Sequence, residues 1–508
     1  MRYGFVIDQR KCIGCHACSV ACKAENRVPL GVYRTWVKYV EKGRFPFTRR
    51  FFQVNRCNHC SHPPCVTICP VGAMFQRKDG VVDFDPARCI GCKACMQACP
   101  YDGIYVDPAS HTAAKCNYCI HRVERGMEPA CVATCPQHAI VAGDLDQPDS
   151  EIAQLVSREQ VRVRKPEQGT APKTFYVAAE EAAMSPTAAR YEGSYLWADR
   201  NKRIAGGGAV RVAPTGDMPV PVLAAYDVEH ERPWGWQVPV YFWTKSLSTG
   251  VLALPAVAIA AGWLQADKLL NLVLLMLALA FMAVTIGLLI SDLSRRERFL
   301  QVLLRPHGGS WLTRGAYLLV AYTALCGLCA LAELTGMAPL CSLMRWLAVA
   351  GGSLAAVYTA FLFGQCEGRD LWQTPVLPLH LLVQGWLASA ALLALLAPLF
   401  GGAPSAIQVA AAALAGGLAL HLLTLATELL MPHATDTATY AARLITRGPL
   451  RFIFWGGAVV LGVVLPVLLL AVGWGNAAPV AAAGALVLAG LLAYEWCFVM
   501  AAQGVPNS

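Results

Sequence analysis

Cys12-Ile13-Gly14-Cys15-His16-Ala17-Cys18-Ser19-Val20-Ala21-Cys22 spaces four thiols as C-x2-C-x2-C-x3-C, and the same spacing returns at Cys89, Cys92, Cys95 and Cys99. Two more groups keep the outer intervals and stretch the middle one. Cys57, Cys60, Cys65 and Cys69 widen it to four residues, and Cys116, Cys119, Cys131 and Cys135 to eleven. Sixteen of the 21 cysteines therefore fall between residues 12 and 135. Three groups close on Cys-Pro, at Cys69-Pro70, Cys99-Pro100 and Cys135-Pro136. Phe5-Val6-Ile7-Asp8 precedes the first group as Val82-Asp83-Phe84-Asp85 precedes the third. Short strand signals follow each Cys-Pro, at Gly72-Ala73-Met74-Phe75, Gly103-Ile104-Tyr105-Val106 and His138-Ala139-Ile140-Val141. Strand, cysteine loop, helix, strand is the repeating unit.

Three thiolates in one tight loop can cap a face of an iron–sulfur cube while backbone N–H groups point at the anionic sulfurs. Gly14, Ala17, Gly91 and Ala94 let the backbone wrap, and the closing proline leads the chain away with no N–H to satisfy. The runs resemble those of bacterial ferredoxins, in which the fourth thiolate of a run ligates the other cluster of a pair. Four runs imply four [4Fe-4S] clusters. Structural zinc also uses paired C-x2-C knuckles, but without the third cysteine or the Cys-Pro ending. A disulfide framework belongs to short secreted chains. Cys12-Ile13-Gly14-Cys15-His16 also matches the c-type haem attachment pattern. Because Cys18 and Cys22 continue the ferredoxin spacing, His16 reads as an ordinary loop residue.

At 508 residues the chain exceeds one ordinary domain, and 56% hydrophobic with 15% charged residues points to a membrane protein. Cysteine groups and most charge lie before residue 237, apolar runs after it. Eight runs have spanning length, near 238–262, 269–292, 315–334, 340–363, 376–399, 405–430, 451–473 and 478–500. Cys326, Cys329, Cys341, Cys366 and Cys497 belong to this half and read as small core residues. The net charge of +9 has no nucleic-acid pattern beside it, and suits an acidic partner subunit or anionic lipid head groups. Met1-Arg2-Tyr3-Gly4 leads straight into a strand-like run, without the apolar stretch of a signal peptide or a twin arginine.

Residues 23–56, rich in aromatic and basic side chains, read either as cover for a cluster or partner or as a hairpin completing a small core. Residues 146–237 show no sustained period and read as a connector, ending in Trp234 and Trp236, aromatics suited to a membrane interface. The expected fold class is an α+β double-ferredoxin head over 1–145, an extended connector over 146–237, and an all-α eight-helix transmembrane bundle over 238–508. An even number of spans returns the end of the chain to the side of the head. Loops on that side carry Arg295, Arg296, Arg298, Arg305, Arg314, Arg369, Arg443, Arg447 and Arg451, the opposite loops only Lys268. The expected location is the inner (cytoplasmic) membrane, with the head in the cytoplasm by the positive-inside rule. A periplasmic head, exported on another subunit's signal, is the open alternative. The same arginines would also suit docking of the head.

Two ferredoxin units in this order resemble the four-cluster electron-transfer subunit of the dimethyl-sulfoxide-reductase superfamily of molybdenum and tungsten enzymes. That resemblance implies pairing of the first group with the fourth and the second with the third. The implied ligand sets are Cys12, Cys15, Cys18 with Cys135; Cys116, Cys119, Cys131 with Cys22; Cys57, Cys60, Cys65 with Cys99; and Cys89, Cys92, Cys95 with Cys69. It also implies a separate molybdopterin catalytic subunit, and nothing in this sequence resembles a pterin site. Ser291-Asp292-Leu293-Ser294-Arg295-Arg296-Glu297-Arg298-Phe299, with Ser310-Trp311 and Arg314-Gly315, resembles the signature of the membrane anchor of polysulfide reductase and its NrfD-like relatives. Tyr358-Thr359 in the fourth span and Asp436 after the sixth agree with it.

Ionisable side chains inside a bilayer are costly and mark functional positions. His380 and Gln384 are four apart and share a helix face, Tyr358 lies at similar depth on the fourth span, and Asp292 ends the second. These four form the candidate pocket for a menaquinone or ubiquinone, and the NrfD-like resemblance puts the counterpart of Tyr358 at the quinone site. His421, Glu428 and Glu495 read as a proton path or as interhelical packing, and His380 with His421 competes as a b-haem ligand pair. The expected function is electron transfer between the quinone pool and a molybdenum- or tungsten-pterin subunit. The competing readings are a respiratory complex passing quinol electrons to a cytochrome, and a transporter whose cysteine head is a sensor or zinc module.

Overall fold

The computed structural model describes residues 1–191, 221–265, 267–400 and 404–508. The strands among them are β1 (Tyr3–Asp8), β2 (Thr35–Arg44), β3 (Phe47–Arg56), β4 (Met74–Gln76), β5 (Val82–Phe84), β6 (Ile104–Val106), β7 (Ala113–Lys115), β8 (Ile140–Asp144), β9 (Val161–Arg162), β10 (Thr174–Val177), β11 (Arg190–Tyr191) and β12 (Val222–Tyr226). They form sheets in the orders β8-β1-β10-β9 and β11-β12-β2-β3, with two small pairs β4-β5 and β6-β7. Phe5, Val6 and Ile7 are fully buried because β1 is flanked on both sides, antiparallel by β8 and parallel by β10. Burial on both faces is what a continuous apolar run is suited to.

The expected strand signals after Cys69, Cys99 and Cys135 are β4, β6 and β8. Residues 35–56 form a hairpin that pairs in unbroken register from Thr35↔Arg56 to Arg44↔Phe47. Its base buries Trp36, Val37 and Val54, while Phe45 and Phe47 at the tip are exposed. Within the first cysteine loop Gly14 has φ +71°, and the Phe52 ring of β3 occupies the space a Cβ there would need. The insertion is therefore a hairpin, and it also covers a cysteine loop.

The described residues of the stretch 146–237 depart from an extended connector. They supply the helix Glu151–Arg158, β9 and β10 to the first sheet, and β11 and β12 to the second. The missing periodicity has a physical reason: β10 carries only four residues and β12 five, too few to show a pattern. Gly206-Gly207-Gly208 and Pro219-Val220 lie outside the described residues.

Among the described residues, eight helices are long and apolar enough to cross a membrane: Gln237–Ala260, Lys268–Ser291, Trp311–Thr335, Leu340–Gly364, Leu377–Leu396, Ser405–Leu430, Ile453–Gly473 and Ala477–Gln503, here spans 1 to 8. Spans 1 and 5 form the centre, with 78% and 72% of their apolar windows buried against 28% for span 2. They cross at Gly250, where a methyl group would overlap the Gly385 backbone. Small residues at such crossings let helix backbones approach inside a bilayer.

The head is clamped onto the bundle. Ser294 N and Arg295 N donate to Gly91 O and Ile90 O at 3.0 and 3.3 Å, and Ser310 Oγ donates to Ile68 O at 2.6 Å. Arg298 donates to the carbonyls of Pro86, Ala87 and Cys89, and Arg369 Nε to Gln97 Oε1 at 2.7 Å. Docking therefore explains three of the head-side arginines, Arg295, Arg298 and Arg369, whichever way the protein is oriented. Gly91 has φ +69° and lies against Ser294 and Arg295, so the third cysteine loop meets the bundle through the one residue type that fits both demands.

Candidate functional site

The cysteines gather into sets that cross the sequence. Cys12 lies within electrostatic reach of Cys135 and Cys15, and these line one cavity with Cys18. Cys22 faces Cys131 and Cys119, and Cys116 faces Cys22. Cys60 and Cys65 face Cys57 and Cys99, while Cys92 and Cys95 face Cys69 and Cys89. In the second, third and fourth runs a four- or five-residue helix carries the third cysteine and ends before the last, whereas in the first run Cys18 and Cys22 share the helix Ala17–Asn26. Electrostatic neighbours across the sets order them in a line: Cys18 feels Cys131, Cys116 feels Cys57, and Cys95 feels Cys65.

The donor environment fits anionic sulfur. Backbone N–H groups of Ala73, Gly91, Tyr118 and Ala139 donate to Sγ of Cys69, Cys89, Cys116 and Cys135 at 3.2–3.4 Å. Asn26 Nδ2 donates to Cys119 Sγ at 3.5 Å and Arg56 Nη1 to Cys131 Sγ at 3.2 Å. Burial pushes the Cys18 and Cys99 thiols up to about 11 and Cys22 up to about 12. Unmetallated, these groups would stay protonated at neutral pH; metal binding expels such protons and makes affinity pH-dependent.

One end of the line is open, with Cys15 and Ile13 exposed. The other end meets the bundle. Trp234 Nε1 donates to Cys92 O at 3.1 Å, and Cys366, just past span 4, is within reach of Cys92. Trp234 is thus packed in the seam, and of the two tryptophans only Trp236 is exposed. From Trp234 an aromatic column descends. Trp234 stacks on Phe363 at 5.9 Å, Phe363 on Phe498 at 6.4 Å, Phe498 on Tyr494 at 5.9 Å, and Tyr494 meets the His380 ring at 4.8 Å.

The four pocket residues do not converge on one point. His380 is fully buried; its Nδ1 lies 2.9 Å from Glu428 Oε2 and its Nε2 3.0 Å from His421 Nδ1. Tyr494 OH bonds Glu428 and lies 3.3 Å from His380 Nδ1. The two histidines touch directly, rather than standing apart across the gap that a bis-histidine haem requires. Gln384 bonds Glu495, which in turn faces Lys245. Lys245 Nζ donates to Thr359 Oγ1 and lies 5.1 Å from the Tyr358 ring centroid, so Tyr358 belongs to this second node. Asp292 pairs with Lys93 of the third cysteine loop at 3.1 Å and so also docks the head, while Tyr241 lies within electrostatic reach of Asp292, Tyr358 and Glu495. Burial raises the Asp292 carboxyl pKa against the pull of Lys93.

Lys245, Tyr494 and the partnership of Glu428 with His380 escaped sequence reasoning. Lys245 carries a signal, as the lone lysine in the interior of a spanning run; the other pairings are set by helix packing.

Two profiles described as 4Fe-4S dicluster domain match residues 11–74 and 48–145. The profile described as Polysulphide reductase, NrfD matches residues 227–507, more than half of the polypeptide. This protein belongs to the NrfD family. Ahead of the NrfD region it carries the iron–sulfur dicluster domains fused in one polypeptide. Among its relatives, a tetrathionate reductase subunit of Salmonella typhimurium is 43% identical over 200 residues, covering 39% of this chain and 80% of the relative. A polysulfide reductase component of Wolinella succinogenes is 40% identical over 179 residues, covering 35% and 94%. Protein NrfC of Escherichia coli K12 is 43% identical over 180 residues, covering 35% and 81%. This NrfD-family protein is an integral membrane protein and an electron-transfer iron–sulfur subunit of an oxidoreductase.

Proposed function

We propose that the protein carries electrons between a membrane quinone and a molybdenum- or tungsten-pterin catalytic subunit docked on its head. The observation that carries this reading is continuity. The line of sulfur sets runs from the exposed Cys15 to Cys92, and the aromatic column leads on from Cys92 to His380. The four ligand sets are those implied by the resemblance, with Cys135, Cys22, Cys99 and Cys69 each closing the set of another run. A bound [4Fe-4S] cluster supplies a one-electron centre whose potential is tuned by charge, hydrogen bonds and solvent.

The bundle contributes the proton chemistry. Quinone reduction consumes two electrons and two protons at its carbonyl oxygens, and each oxygen needs a donor. In our reading Gln384 faces the quinone from span 5, with Tyr358 beside Lys245 opposite. His380, whose two ring nitrogens are engaged by Glu428 and His421, relays protons from behind. Glu428 and Tyr494 hold a proton against His380 Nδ1, and the His380–His421 contact keeps one N–H between two ring nitrogens. Glu495 and Lys245 form a second buried acid–base pair through which a proton can be held near Gln384.

His380→Ala and Lys245→Met should each slow quinone-linked turnover about 100-fold, the usual contribution of a positioned acid or base. Dithionite bleaching of the head should be unchanged. Equal loss of both activities defeats the assigned pocket. Metal analysis of the purified complex tests the partner: molybdenum or tungsten supports the pterin subunit, and c-type haem without either supports the cytochrome-linked alternative.

A further inference from the structure

Arg56 ends β3, one residue before Cys57, and is 1% exposed. Its Nη1 donates to Cys131 Sγ at 3.2 Å, and its Cζ lies 4.3 Å from the Phe5 ring centroid. Cys131, Cys116 and Cys18 are its electrostatic neighbours, and Cys22 also feels its charge. The guanidinium therefore sits where the set of Cys18 meets the set of Cys131, Cys116 and Cys22. Among the described residues it forms no ion pair with a carboxylate, and its Nε and Nη2 have no hydrogen-bond partner. Buried Lys115 is different, since its ammonium donates to the carbonyls of Val82 and Cys116.

A guanidinium stays protonated in proteins, and a buried charge is retained where an opposite charge answers it. Among the described residues around Arg56, the only candidates are sulfurs. We propose that Arg56 is the internal counter-charge of the two outermost clusters, and that it raises the reduction potentials of both relative to the inner pair. The inference rests on the four-cluster reading. Its direction follows from electrostatics: reduction adds negative charge, and a fixed cation at hydrogen-bond distance stabilises the reduced form. Phe5 and the surrounding burial keep water from screening it. Arg56 touches a ligand sulfur and acts through it, so it is a positioning residue for charge. The consequence is that electrons entering from the bundle are drawn toward the exposed end of the line.

The test is an EPR-monitored redox titration of the full-length protein in detergent, with iron content measured on the same samples. If the unmodified protein holds far fewer than about sixteen irons, the four-cluster reading itself fails. If it holds them, Arg56→Gln should lower two of the four potentials, changing the reduced-to-oxidised ratio at fixed potential at least tenfold, about 59 mV for one electron. Arg56→Lys, which keeps the charge, should stay near the original values. Four unchanged potentials in Arg56→Gln, or equal lowering in both variants, overturns the inference. Should Arg56→Gln lose iron, unmodified protein labelled with η-15N-arginine decides. A nitrogen hyperfine coupling on a reduced cluster supports the contact, and its absence overturns it.

Discussion

The cysteine core of the head and the bundle bury charge in opposite ways. In the bundle each of three buried ionic groups meets one of complementary character: Arg345 pairs with Glu333 at 2.7 Å, Glu428 with His380 at 2.9 Å, and Lys245 faces Glu495. In the cysteine core of the head, Arg56 is buried among thiols and Lys115 against backbone carbonyls near Cys65, neither with a carboxylate paired to it among the described residues. Lys38, nearer the seam, instead pairs with Asp227 at 3.6 Å. An unpaired ion inside a bilayer has no water to turn to, so the bundle neutralises itself. The head is completed by anionic iron–sulfur chemistry, so its electrostatics make sense only with the thiols deprotonated.

The largest expected effect breaks the head alone. Cys99→Ser should remove about four of about sixteen irons and abolish quinone-linked turnover, while the bundle keeps its helical circular dichroism and detergent solubility. Unchanged iron content would mean that Cys99 is not a ligand.

Next, Gly250→Leu attacks the bundle at its central crossing. Overpacking of this kind costs about 1–3 kcal/mol, read as a lower thermal midpoint in detergent. The iron content should hold, and a matching loss of iron would show that the two halves do not fold independently.

The smallest effect lies at the seam. Glu367, in the loop after span 4, is pushed up to about 7 by burial, from an ordinary 4.5. A carboxyl raised on folding contributes stability that is fully present below its unfolded value and lost as pH rises through the folded one. Glu367→Gln should therefore match the original protein near pH 4.5 and exceed it by ~1 kcal/mol at pH 8, after allowing for solvent screening. A gain that is equal at both pH values would remove titration as the cause.

Much of this was legible because it is local. Cysteine spacing within a run and the length of an apolar run are written in contiguous residues, and all eight expected spans overlap the observed helices. The quinone residues were legible only one at a time. The four-residue spacing of His380 and Gln384 places them on one face, yet the facing partners, Glu428 and His421 for one and Glu495 for the other, come from spans 6 and 8. Asp292 ends a span, and only the docked head revealed Lys93 as its partner.

The sequence by itself determined that the protein holds sulfur ligands in ferredoxin spacing ahead of eight membrane spans, since thiol intervals and hydropathy need no distant neighbour to be read. Tertiary structure alone decided that residues 146–191 and 221–226 build the head, that Arg56 stands between two sulfur sets, and that Tyr494 joins the aromatic column to His380. These are contacts between segments far apart in sequence, fixed by which surfaces pack together, and no local pattern encodes them.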